Sequence, residues 1–208
     1  MGKLAVIVDG GFIRVALFNK TTNKPCGANE IYQKILSIVN THFPSDQLFR
    51  IFYYDSIPDK HNTKKYKNPV DNSQVDFLGN IDIDFCIKLC DELKKKEHIA
   101  FRYGDLAYDG FSVKSPKTVI TKVKAGGVIE PSDFQIKVTQ KGVDLKIGLD
   151  IAWLSVKRIV DKLLIISGDS DLVPAFKFAR KEGLNVYLAP LGRGVKPSMV
   201  EHSDKVIK

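Results

Sequence analysis

Apolar positions along the chain follow two alternating periods. Lys3 to Val8 is a nearly unbroken apolar, β-branched run, the pattern of a strand buried on both faces. Leu48 to Tyr54, Ile99 to Tyr103, Lys162 to Ser167 and Asn185 to Ala189 read as further strands. Between them the apolar spacing switches to three and four. Ile31, Ile35, Ile38 and Val39 form one stripe of a helix over 29–39. Phe85, Cys86, Leu89, Cys90 and Leu93 share a face over 82–96, and Lys94 to Lys96 close its last turn. Over 144–160 the expected buried stripe is Leu145, Leu149, Ala152, Val156, Ile159 and Val160. A last helix is expected over 171–182. Ser170 is its expected N-cap, Pro174 lies in its first turn, where amides need no internal partner, and Gly183 follows it.

Two stretches interrupt this alternation. Ile57 to Gln74 is polar, basic and turn-rich, and reads as a surface loop. From 114 to 138, TVITKV and DFQIKV flank Ala125-Gly126-Gly127, which predicts an inserted antiparallel β-hairpin or flap. Strands alternating with helices predict an α/β fold, a parallel, doubly wound sheet flanked by helices. No repeat, linker or low-complexity segment divides the chain, so one domain over 1–208 is expected.

Composition narrows the function classes. Hydrophobic residues at 44% and charged residues at 27% are ordinary for a globular protein. A formal charge of +8 suits a polyanionic partner, though charge alone does not select one. Three cysteines (Cys26, Cys86, Cys90) argue against a disulfide framework, and four scattered histidines argue against zinc. The first apolar run is too short for a signal peptide or membrane span, and Val6 breaks the myristoylation pattern. The expectation is a cytoplasmic protein with no membrane partner.

The chemistry gathers where strands end. In open parallel sheets, sites lie just beyond the carboxyl ends of the strands. Here one strand runs into Asp9 and another into Asp169 and Asp171; Asp144 opens a helix. Clustered carboxylates are costly unless a cation neutralises them, and an all-oxygen set suits Mg²⁺ or Mn²⁺. Taken singly, each acid has a plainer role: Asp9 as a turn former, the others as N-caps or first-turn acids. Asp150 lies six residues after Asp144, about 240° round a helix, which points it away from the same site. Asp76, Asp82, Asp84 and Asp161 read as solvated acids.

The segments VIVDGGF, QKGVDLKIGLD and LLIISGDSDLVPAFKFARKEG resemble the NYN domain family, also met as the LabA-like or DUF88 group, of the PIN-like nuclease superfamily. The resemblance spans nearly the whole chain, and SGDSD together with KGVD is its most specific part. It implies a PIN-like, Rossmannoid sheet and RNA hydrolysis with Mg²⁺ or Mn²⁺ held by Asp9, Asp144, Asp169 and Asp171. Asp150 occupies a recurrent acidic position of the family and joins as a lesser candidate. Ser167 and Ser170 are candidates to orient water or phosphate. Arg14, Lys141, Lys146, Arg193 and Lys196 are candidates to bind the substrate, each also readable as a solvated charge. Many members carry Asn three residues after the first aspartate; Phe12 stands there. A homodimer through the inserted hairpin is suggested only by analogy with other PIN-like proteins.

Two other classes compete with the metal-dependent nuclease. An RNA-binding regulatory module without catalysis has little reason to cluster acids against phosphate. A phosphatase is suggested by GDSD, but GGF after Asp9 lacks the DxD spacing of aspartyl-phosphate chemistry. No GxxxxGK[ST] loop or dinucleotide fingerprint is present.

Overall fold

Strand β1 (Lys3–Asp9) is buried at every position from Leu4 to Val8. Its side chains alternate between two cores. Leu4, Val6 and Val8 pack on one face of the sheet, Ala5 and Ile7 on the other. That two-sided burial is why the run is continuously apolar rather than alternating. The computed structural model describes residues 1–19, 21–56, 64–76 and 82–207.

In chain order, β1 is followed by helices α1 (Gly10–Ala16) and α2 (Ala28–His42), strand β2 (Gln47–Ser56) and two short strands, β3 (Lys65–Lys67) and β4 (Gln74–Asp76). Helix α3 (Ile83–Lys94) leads into β5 (Ile99–Val113), α4 (Pro116–Lys124) and β6 (Phe134–Lys141). The chain then alternates α5 (Val143–Val156), β7 (Lys162–Ile166), α6 (Val173–Lys181), β8 (Asn185–Leu188), α7 (Pro197–Glu201) and β9 (Lys205–Val206).

Seven strands form the main sheet in the order β6-β5-β2-β1-β7-β8-β9. All neighbours are parallel except β5 and β6. The chain winds outward from β1 through β2 to β5, then returns to β7 on the other side of β1 and winds outward again. The order therefore reverses between β1 and β7, where the carboxyl ends of two adjacent strands leave a crevice. Helices α1, α2 and α3 cover one face, and α5, α6 and α7 the other. This is the flanked, mostly parallel α/β sheet that the pattern predicts.

Four local expectations are corrected. TVITKV does not form a strand: Thr118 to Val123 lie within α4, begun by Pro116 in its first turn. The long antiparallel arms are β5 and β6 on either side of it, with a separate small hairpin of β3 and β4. That small hairpin also replaces part of the predicted 57–74 loop, of which 57–63 lie outside the described residues. Asp9-Gly10-Gly11 is no simple turn, because α1 starts at Gly10. Finally, α5 buries Val143, Ile147, Ile151 and Leu154, while Leu145, Leu149 and Val156 are exposed. The helix is apolar on nearly every side, so two stripes satisfied the helical period and the sheet takes the Ile147–Ile151 one.

Candidate active site

Asp9 sits where β1 passes straight into α1. Its backbone is still extended, and its Oδ1 accepts the Phe12 amide at 3.0 Å, so it caps the helix. The corner is tight. A Cβ on Gly10 would stand 2.6 Å from the Tyr54 carbonyl oxygen and 2.7 Å from Asp55 Oδ2, so only glycine fits. Phe12 packs over the next strand's exit loop: a Cβ on Gly168 would meet its ring at 2.6 Å. The residue at the frequent asparagine position of the family is thus a hydrophobic pin between the ends of β1 and β7.

From Asp9 a chain of hydrogen bonds runs through that loop. Ser167, which is buried, donates its Oγ proton to Asp9 Oδ2 at 3.2 Å and accepts the Asp169 amide at 3.1 Å. Asp169 Oδ1 accepts the Asp171 amide at 2.9 Å. Asp169, rather than the expected Ser170, therefore caps the 3-10 turn Ser170–Leu172 that leads into α6. Lys196 Nζ donates to Ser170 Oγ at 2.8 Å, setting a cation beside the acids. Asp144 enters from the opposite face, in the first turn of α5, after Gly142 makes the left-handed turn (φ +77) out of β6.

Electrostatics tie these segments together. Burial pushes the Asp9 carboxyl above its ordinary range, and Asp169 adds to the rise against the hydrogen bonds from Phe12 and Ser167. Partial desolvation raises Asp144, and so do Asp169, Asp9 and Asp171. Each carboxylate resists the others' charge. Among the described residues, no three His, Cys, Asp or Glu side chains form a ready-made metal cage. The four aspartates share an electrostatic neighbourhood. Their all-oxygen donors, with the Asp9 and Asp144 carboxyls raised, are of the type that suits a hard divalent cation. A groove of about 320 Å³ opens beside them between α5 and α6, walled by Leu145, Leu149, Pro174 and Ala175.

The other expected residues divide. Asp150 is engaged elsewhere: Arg102 Nε donates to its Oδ2 at 2.9 Å and the Tyr54 hydroxyl at 2.8 Å. The structure places it with β2 and β5, as its helical angle from Asp144 foretold. Lys146 donates to the Tyr103 carbonyl, which turns it toward β5, and Lys141 is exposed at the end of β6. Arg14 pairs with Asp55 at 3.0 Å, and Arg193 Nη2 donates to the Val15 carbonyl at 2.6 Å.

Two residues that the sequence reading passed over also stand here. Asp55, fully buried on β2, has its carboxyl raised by burial against the pull of Arg14, with Asp9 adding to the rise. Gln140 on β6 donates to Asp55 Oδ1 at 3.0 Å. FYYD ends a buried strand on an acid as VIVD does, and that signature was available. Gln140 opens the QKGVD segment, but nothing in the sequence marked its side chain as a partner of Asp55.

The fold defines a doubly wound, mostly parallel α/β class with acidic residues at its topological switch point. The NYN domain matches residues 70–208, two thirds of the chain, and the protein belongs to that family of the PIN-like nuclease superfamily. Among solved structures, the chain is similar to a protein of unknown function, VPA0982, from Vibrio parahaemolyticus RIMD 2210633. The identity is 11% and the TM-score 0.46, over 99% of this chain and 91% of that one. No curated protein matches the chain. None of the described helices is long and apolar enough to cross a membrane.

Proposed function

We propose that the protein is a metal-dependent ribonuclease, hydrolysing phosphodiester bonds at the edge formed by Asp9, Asp144, Asp169 and Asp171. The observation that carries this reading is the hydrogen-bonded chain from Asp9 through Ser167 to Asp169 and Asp171, with Asp144 lining the same groove as Asp171. Acids from three chain segments share one electrostatic neighbourhood at the switch point of the sheet. These residues would hold Mg²⁺ or Mn²⁺, and such an ion activates water and stabilises the leaving oxygen. Ser167 fixes two of the partners by holding the Asp9 carboxylate and the Asp169 amide. Lys196, anchored on Ser170, offers a positive charge to a phosphate oxygen entering beside the acids. Asp150 is left as a structural ion-pair partner of Arg102. The net charge of +8 favours a nucleic-acid substrate, and RNA is the choice that the family reading supports. Three free cysteines suit the cytoplasm.

End-labelled single-stranded RNA incubated with Mn²⁺ or with EDTA tests this. Cutting is expected only with the ion, and Asp169→Asn should lower the rate at least a hundredfold while still binding RNA. RNA binding without cutting by the wild type, across RNA and DNA substrates, would replace the nuclease with a binding module.

A further inference from the structure

On the α1 side of the sheet, away from the α5–α6 groove, lies a second cavity of about 380 Å³. Such a volume is at the lower end of the roughly 300–1,000 Å³ typical of small-ligand sites. Its walls carry two phenyl rings, Phe18 and Phe85, and two guanidinium groups, Arg14 and Arg193, with Pro25 and Cys86 between them. Among the described residues, no carboxylate lines it. The Phe18 ring is partly exposed at 38%. Arg14 is neutralised from behind by Asp55. Arg193 forms no ion pair among the described residues, and its bond to the Val15 carbonyl uses one of five donors. A face of aromatic carbon beside an arginine without a carboxylate partner is complementary to a flat neutral ring joined to an anionic phosphate.

The cavity is also placed to serve the acids. Arg14 and Val15 lie five and six residues beyond Asp9 on the same helix, about 8 Å along its axis at 1.5 Å per residue. At roughly 3.4 Å per stacked nucleotide, that is about two nucleotides of strand. We propose that this cavity takes one unpaired base of the RNA held at the acids, with the base on Phe18 and Phe85 and an adjoining phosphate on Arg193. The proposal rests on the ribonuclease reading and specifies its substrate as single-stranded, because a base inside a duplex cannot leave its stack to enter a cavity without unpairing.

The test compares octauridylate with an abasic octamer of the same phosphate count, by fluorescence anisotropy in EDTA so that no cutting intervenes. For Phe18→Ala, we expect octauridylate binding to weaken about tenfold and abasic binding to change less than twofold. Arg193→Gln should weaken both oligomers equally, since it grips phosphate rather than base. Cys86 gives an independent readout on the unaltered protein, because Cys26 and Cys90 are buried. Saturating octauridylate should slow its alkylation by a maleimide at mildly alkaline pH, and the abasic octamer should not. Equal losses for both oligomers in Phe18→Ala, unchanged octauridylate binding, or an unprotected Cys86 would each overturn the pocket. Cutting with Mn²⁺ in the same preparation reads the parent proposal separately. Cutting without base dependence removes the pocket and keeps the nuclease; base dependence without cutting does the reverse.

Discussion

Asp9 ends a strand, caps a helix and lies in the electrostatic reach of Asp169, Asp144 and Asp55. Folding raises its carboxyl above the ordinary 3.8, chiefly by burial, so the folded protein holds that proton more tightly than the unfolded chain. The stability linked to this is fully present below 3.8 and is lost as pH rises through the raised value. At neutral pH the ionised group is therefore a net cost. Asparagine removes the charge and remains a good N-cap. In EDTA at neutral pH, Asp9→Asn should raise the thermal midpoint by roughly 1–3 °C, the usual size for relieving a strained functional group. Adding Mn²⁺ should raise the wild-type midpoint more than the variant's. A lower midpoint for the variant in EDTA would show that the neighbours do not oppose Asp9. Protons and cation compete for the same oxygens, so cutting should fail on acidification at a pH above the 3.8 of a free aspartate. A rate that persists down to that value would contradict the shared site. At this scale the sequence was informative wherever an acid followed a buried strand. It gave no hint that Phe12 would pin Gly168, or that Gln140 would reach Asp55, since both contacts join residues far apart in the chain.

Elements were legible in proportion to how sharply their faces differ. The α2 stripe of Ile31, Ile35, Ile38 and Val39 is buried as its spacing predicts, because exposed Glu30, Gln33, Lys34, Ser37 and Asn40 mark the outward side. Helix α5 misled because, past Asp144, its exposed positions Leu145, Leu149, Trp153 and Val156 are apolar. Short α4 misled for a related reason: β-branched Thr118, Val119, Ile120, Thr121 and Val123 read as strand, while Pro116 and local hydrogen bonding make a helix. The corrected α5 face has a measurable consequence. Ile151 is fully buried, and Ile151→Ala should cost about 2–5 kcal/mol in chemical denaturation. Leu149, 60% exposed, should cost within about 0.5 kcal/mol when changed to alanine. The opposite ranking would restore the stripe read from the sequence. The exposed stripe also has a local effect, since Leu145 and Leu149 make the wall of the groove beside Asp144 apolar. Water is less able to screen the acids from that side.

For the whole molecule, the decisive feature is where the winding reverses. Placing β7 next to β1 brings together Asp9 and the Ser167–Asp171 loop, which are about 160 residues apart in the chain. Antiparallel β6 then returns the chain to the same edge, so that α5 begins with Asp144 there. Strand ends could be read from the pattern, but strand order could not; only the general rule for open parallel sheets connected the acids beforehand. The central claim is that three chain segments build one cation site. Loss of the free Mn²⁺ signal in electron paramagnetic resonance, as protein is added, measures it directly. The wild type should bind Mn²⁺, and Asp9→Asn, Asp144→Asn and Asp169→Asn should each weaken binding about tenfold or more. No binding by the wild type, or a loss confined to one of the three variants, would contradict a shared site.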